Sequence, residues 1–305
     1  MAATTIDSGA GSAVEFEQNK APLRPARVVL YVFLSLTALV WLVPILGAIF
    51  SSFRPFSDTV QNGYFSWPES FTLDNYRNAW TDGDILGKYW NTALILVPAL
   101  FLTLFFSSMV AFAASRYSWK FNISFLVLFT AGNLLPQQII IQPLFQMYNR
   151  IPLPEWMSNS GRLNGSVWGL ILIHVAFQSG FCTFVLSNYM KLLPKSLNEA
   201  ARVDGASMWV LYSKVIMPLT RPALAALATL EFTWIYNDFF WAVVLEQQGD
   251  DRPITSSLAN LGGEFFTDDN LIAAASMYVA LPTLIVYLAL QKHFIAGLTL
   301  GADKG

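Results

Sequence analysis

The sequence predicts an all-α integral membrane protein with six transmembrane helices. Hydrophobic residues make up 54% of its 305 positions and charged residues only 12%, against roughly 25% charged in an ordinary soluble domain. Six apolar segments, each near the ~20 residues that a helix needs to cross hydrocarbon, alternate with polar connections. The single cysteine, Cys182, lies inside an apolar segment, which excludes an intrachain disulfide and argues against a cysteine-based metal site.

Residues 1–27 are polar and lack an apolar stretch followed by a small-residue cleavage site, so a cytoplasmic tail is expected rather than a cleaved leader. The first span runs from Val28 to Phe50, with a kink expected at Pro44. Ser51 to Tyr89 looks soluble and is expected to form a surface turn leading into a short helix. The second span, Trp90 to Ser115, ends in small residues (Ser107, Ser108, Ala111, Ala113, Ala114) suited to close helix packing. Arg116, Tyr117 and Lys120 form a basic loop.

The third span, Phe121 to Leu144, is interrupted by Asn133, Pro136, Gln137, Gln138 and Gln142. Amides in hydrocarbon are costly unless they find partners or line a wet path. They mark either a substrate path, an interhelix hydrogen-bond cluster, or a span that ends early near Gln137. A Pro-, Asn- and Gly-rich loop follows, Asn149 to Gly165. The fourth span, Ser166 to Tyr189, contains His174 and Gln178; His174 is expected to bond a neighbouring helix rather than a ligand. The fifth, Ala223 to Glu246, carries Glu231, Asn237 and Asp238 among Trp234, Tyr236, Phe239, Phe240 and Trp241. An acidic connection, Gln247 to Asn270, leads to the sixth span, Leu271 to Leu290, and a tail from Gln291.

Between the fourth and fifth spans lies a polar stretch, Ser196 to Pro222. Ser196 as N-cap with Glu199 three residues on has the spacing of a capping box. Ala200 and Ala201 favour helix and give a small face. Asp204-Gly205 stops that helix, because glycine accepts the left-handed conformation of a C-terminal cap. A second helix, Ser207 to Val215, is expected to end before Pro218. The product is a bent helical pair that a groove on another protein could hold, with Glu199 offering charge to a basic partner; otherwise it is an ordinary amphipathic loop. Glu199, Ala200, Ala201, Asp204, Gly205, Ala206, Ile216 and Pro218 match the EAA motif, E-A-A-x-x-D-G-A then I-x-x-P. The stretch therefore resembles the coupling helix of ABC importer permeases, which docks into a cleft on a cytoplasmic ATPase.

Membrane proteins concentrate Lys and Arg in cytoplasmic loops. With the N-terminus inside, twelve of the 18 basic residues are inside, including Arg116, Lys120, Lys191, Lys195, Arg202, Lys214 and Arg221. This orientation puts both termini and the polar stretch in the cytoplasm. The outer connections are acidic.

Two further segments extend the resemblance. Trp67-Pro68 and Phe71-Thr72-Leu73-Asp74-Asn75-Tyr76 resemble the pattern before the second span of sugar importer permeases. The ending Gln291-Lys292-His293-Phe294-Ile295-Ala296-Gly297-Leu298-Thr299-Leu300-Gly301-Ala302-Asp303-Lys304-Gly305 is similar to that of maltose-type carbohydrate permeases, specifically the shorter, G-type subunit. Tyr236-Asn237-Asp238-Phe239 matches that family's Trp-Asn-Asp-Phe segment, with Tyr for Trp.

The resemblance implies a type I ABC importer permease fold: a permease domain over residues 28–296, a coupling loop over 191–222 and a cytoplasmic C-terminal tail over 297–305. It also implies a multi-pass protein of a bacterial cytoplasmic membrane, paired with a second homologous permease, an ATPase dimer and an extracytoplasmic sugar-binding protein. ATP and Mg would bind the partner ATPase, since this chain has no G-x-x-x-x-G-K-(S/T) phosphate loop. No catalytic residue, metal site, cofactor or nucleic-acid partner of its own is expected.

Neutral sugars are held by aromatic faces together with amides and carboxylates, so the candidates for the sugar path are Asn133, Gln137, Gln178, Glu231, Trp234, Asn237, Asp238 and Trp241. Glu231 and Asp238 could instead satisfy helix ends or partner contacts. A secondary transporter using them as ion sites is one rival class; it would normally show an internal repeat of spans, and none is evident. A membrane scaffold or assembly protein with no transport role is the other, and neither rival needs an ATPase-docking helix.

Overall fold

The computed structural model describes residues 25–117, 120, 122–246, 251–258, 261 and 268–299. Residues 1–24 of the tail expected over 1–27, much of the acidic connection after Glu246 and residues 300–305 lie outside them, while Pro25 to Arg27 belong to the first helix. Among the described residues the chain is helical, and its β pairing is limited to an isolated bridge between Pro152 and Arg162.

The chain divides into two units at Gly47. The described part of the first is most of α1 (Pro25–Ser52), which contains Pro44 and whose large apolar side chains are mostly exposed. At 1.5 Å per residue a helix of this length reaches about 42 Å, enough to cross a bilayer.

The second unit opens with two short helices, α2 (Phe56–Asn62) and α3 (Asp74–Asp82). The turn between α1 and α3 is a clamp built on a buried guanidinium. Arg54 Nε and Nη2 each donate to a carboxylate oxygen of Asp58 at 3.0 Å. Arg54 also donates to the Gly63 carbonyl and the Ser66 hydroxyl. Asn75 donates to the carbonyls of Ser52 and Arg54, and Tyr76 shares a hydrogen bond with the Ser52 hydroxyl. The expected surface turn therefore buries its key side chains, because the guanidinium nitrogens all find acceptors there together.

Four further helices have the length and apolarity to cross a membrane. They are α4 (Ile85–Arg116), α7 (Val167–Leu192), the helix from Met208 to Tyr236, and α13 (Asp269–Thr299). α4 and α7 pack along each other, and Ser107 on α4 donates to the Ser179 carbonyl on α7. Tyr89 and Tyr236 each donate to α13, at the carbonyls of Tyr278 and Val279.

The expected third span is not one helix but two. α5 (Asn122–Ala131) and α6 (Gln137–Arg150) are separated by a tight turn at Gly132–Leu134 and by Pro136. The proline has no N–H to continue the ladder and holds Leu135 extended, at φ −74 and ψ 128. The expected fifth span is likewise broken after Tyr236, and a separate short helix, α11 (Phe240–Leu245), follows. A last short helix, α12 (Ile254–Ser257), precedes α13.

The polar stretch also differs from expectation. α8 (Ser196–Val203) starts with Lys195 in the capping position and no side-chain cap, so the Ser196–Glu199 capping box does not form. Pro194 and Lys195 carbonyls receive the first amides instead. Ser207 is the side-chain cap, accepting from the Val210 amide, of α9 (Met208–Val210). That helix does not end before Pro218. It widens into a π turn at Leu211–Ile216 and continues as α10 (Met217–Tyr236). The wide turn absorbs the missing proline amide without breaking the helix.

The connections predicted on one side of the bilayer meet each other. Tyr64 donates to Asp269, Asn159 to Asp251, Asn270 to the Ser51 carbonyl, and the Gly165 amide to Leu245.

Candidate functional site: a cavity at two helix breaks and an exposed coupling segment

The broken helices flank α7, and between them lies a cavity of about 640 Å³. One wall is α7. His174, Phe177, Gln178 and Phe181 follow at spacings of three, one and three residues, which puts them on one helix face. The second wall is the end of α10, with Thr233, Trp234 and Asn237, and the break itself, with Asp238, Phe239, Phe240 and Trp241. The third is the α5–α6 break, with Asn133 and Gln137. Non-helical backbone at membrane depth is tolerated where it lines such a cavity.

Each break positions a polar group. Asn237 ends α10, its side chain donating to the Thr233 carbonyl at 2.9 Å. Asp238 starts α11, its carboxylate accepting from the amides of Trp241 at 3.3 Å and Ala242 at 3.1 Å. The carboxylate also faces His174, Nε2 to Oδ2 at 3.7 Å. The Asn133 Nδ2 is buried with no protein partner, an open donor at the cavity. Aromatic faces complete the lining: Trp234 lies against Phe181 at a centroid distance of 5.3 Å, and Trp241 against Phe177 at 5.5 Å. No lysine or arginine is among the lining residues.

The structure thus gathers Asn133, Gln137, Gln178, Trp234, Asn237, Asp238 and Trp241 around one space. Glu231 is the exception. It is fully buried away from the cavity lining, and its Oε1 accepts from the Cys182 thiol at 3.1 Å. A carboxyl two helical turns from the break points into the α7 interface instead. His174, Phe177, Phe181, Thr233, Phe239 and Phe240 were not among the expected path residues. The helical period running from His174 through Gln178 is the signal that could have found the three on α7.

The polar stretch forms the second part of the site. Ala201, on the inner face of α8, packs against Leu211, Tyr212 and Ile216 in a core that also takes residues of α4 and α7. Tyr212 shares a hydrogen bond of 2.7 Å with Ser108 of α4. The end of α8 is a Schellman motif: the Ala206 amide donates to the Ala201 carbonyl and the Gly205 amide to Arg202, with Gly205 at φ 74. The opposite face is bare. Glu199, Ala200, Asp204 and Gly205 are exposed, and Val203 is 88% exposed. The core beneath ties this exposed helix, which presents small, apolar and charged side chains, to α4 and α7.

Comparison with known proteins agrees with this arrangement. Residues 104–299 match the model of the binding-protein-dependent transport system inner membrane component family. A probable ABC transporter permease protein of Pyrococcus horikoshii is 32% identical over 263 residues, 85% of this chain and 91% of that protein. The multiple sugar-binding transport system permease protein MsmG of Streptococcus mutans is 32% identical, covering 90% of this chain and 96% of its own. Among solved structures, a chain of a bacterial ABC transporter importing the acidic polysaccharide alginate shares the fold. Its TM-score is 0.72 at 23% identity, over 88% of this chain and 95% of that one. With a cavity between broken spans, an exposed helix mounted on the spans and this sequence match, the chain belongs to the binding-protein-dependent transport system inner membrane component family.

Proposed function

We propose that this chain is one of two permease subunits of an ATP-driven sugar importer in a cytoplasmic membrane, with both termini and α8 in the cytoplasm. The observation that carries the sugar assignment is the cavity lining: aromatic faces, amide side chains, one carboxylate and a histidine, with no lysine or arginine. Hydroxyl-rich rings are held by stacking on such faces and by amide and carboxylate hydrogen bonds. Relatives named for sugar transport, including MsmG and the arabinooligosaccharides transport system permease protein AraQ of Halalkalibacterium halodurans, support it.

A second, homologous permease completes the path, and an extracytoplasmic binding protein delivers the solute. An ATPase dimer holds ATP and its magnesium. Its closure moves α8, and the core beneath α8 passes that movement to α4, α7 and α10, so that access alternates between the two sides. Residues 28–296 act as the permease domain and 191–222 as the coupling loop, with cytoplasmic tails at 1–27 and 297–305. Solute takes Asn133, Gln137, Gln178, Trp234, Asn237, Asp238 and Trp241 as contacts.

The test is purification of the tagged chain from its own membrane in mild detergent. Recovery of an ATPase, a second permease and a binding protein, with ATP hydrolysis stimulated by a sugar, is the expected result. Recovery of the chain alone, with uptake driven by a proton gradient, would replace it with a secondary transporter.

A further inference from the structure

We infer that the face carrying α8 holds one anionic phospholipid, its phosphate among basic side chains and an acyl chain in a groove between α4 and α5. Beside α8 lies a pocket of about 440 Å³. Four cationic side chains line it, Arg116 from the end of α4, Lys191 from α7, Lys195 before α8 and Arg202 on α8, against one carboxylate, Glu199. Among the described residues none of the four enters an ion pair.

Arg116 is the anchor. Its Nη1 donates to the Leu193 carbonyl at 3.4 Å. Its Nε and Nη2 are buried with no protein acceptor. Two buried guanidinium donors without a partner are costly, and a guanidinium fork matches phosphate oxygens. Asn122 and Asn198 also line the pocket, each with a buried side-chain oxygen lacking a donor. A headgroup hydroxyl can supply those hydrogens.

Continuity with an apolar groove identifies the source of the phosphate. A second space, about 490 Å³, is lined by Met109, Val110, Ala113, Ala114, Tyr117 and Phe125. It shares Ala114 and Tyr117 with the basic pocket, so the two adjoin at the end of α4. The groove contributes an apolar wall along the flank of α4, at the depth where a chain descends from a phosphate. A soluble phosphate would use only the basic half; a phospholipid uses both.

Native mass spectrometry of the chain, purified with the proteins that accompany it, tests this with phosphatidylglycerol, phosphatidylcholine and inorganic phosphate as probes. One phosphatidylglycerol should be retained at a concentration at least about tenfold lower than phosphatidylcholine, as expected for several basic side chains near one phosphate. The combined variant Lys191→Gln, Lys195→Gln, Arg202→Gln should lose that preference, and it leaves the braced Arg116 in place. Ala113→Trp, at an exposed groove position, should weaken phosphatidylglycerol retention without altering charge. Equal retention of both lipids, or retention unaffected by either variant, would overturn the site. So would displacement by millimolar inorganic phosphate alone. Lipid absent from the assembly, with the triple variant shedding the ATPase, would assign the pocket to an acidic protein partner instead.

Discussion

His174 on α7 and Asp238 at the break after α10 face each other at 3.7 Å across one wall of the cavity. The same carboxylate caps α11 through two backbone amides. One side chain therefore both caps a helix and presents a carboxyl group to the path.

Asp238→Ala should change sugar affinity or uptake rate while the ATPase stays bound. It also removes a cap worth about 1 kcal/mol, so α11 loosens. Asp238→Asn keeps an amide oxygen for the cap and should separate the two roles: stability near wild type, transport still altered. Uptake kinetics of the two variants are the measurement. Wild-type kinetics in both would remove Asp238 from the path.

Gly205→Val should abolish uptake. Nothing lies within 4 Å of a Cβ built there, so the damage comes from the left-handed backbone alone. A β-branched residue at φ 74 is strained by roughly 1–2 kcal/mol. Gly205→Asn, which tolerates that conformation, should transport near normally. Equal activity of the valine variant would show that the turn is not needed for coupling.

Glu199→Ala should leave the spans inserted and abolish uptake, because the side chain is exposed and supports no internal contact that the fold depends on. Co-purification of the ATPase and solute-stimulated hydrolysis report the loss. Normal coupling in this variant would reject α8 as the docking element.

Gly180→Ala should disturb the α5–α7 contact beside the cavity. A Cβ on Gly180 would overlap the Phe129 carbonyl and crowd the Asn133 amide. Backbone cannot swing away as a side chain can, so α5 must shift. Reduced expression, or uptake lowered at least about tenfold, equivalent to 1.4 kcal/mol, is expected; wild-type values for both would contradict the close approach.

The Arg54 guanidinium, with Asn62, holds the Asp58 carboxyl well below the usual carboxylate range. A carboxyl held low stabilises the folded form above its ordinary value, near about pH 4. That contribution fades as acid protonates it. The connection from Arg54 to Tyr76 should resist protease at neutral pH and become a pepsin substrate in acid. Arg54→Ala should expose it to proteases at neutral pH too. If acid sensitivity is the same in Asp58→Asn as in wild type, the pair is not what holds the connection.

The resemblance carried by Glu199 to Pro218 was legible because spacing alone defines it, and Gly205 announced its own left-handed turn. The apolar segments were legible because hydrocarbon demands length and apolarity of every span, whatever its neighbours. Their edges were not. Ser196 has a capping partner in sequence, but Pro194 and Lys195 carbonyls won the first amides of α8. Pro218 reads as a stop, yet a π turn carries the helix past it.

The site divides the same way. Amides at Asn133 and Gln137, and the cluster from Trp234 to Trp241, stand out in an apolar sequence because unpaired polar groups are costly in a bilayer. Which of them share a space is a matter of helix rotation and of where two spans break, and composition does not encode either. Glu231 and Asp238 look alike along the chain; one turns toward Cys182 and the other toward His174. Asn75 and the cationic pocket around Arg116 join residues distant in sequence, so only packing could bring them together.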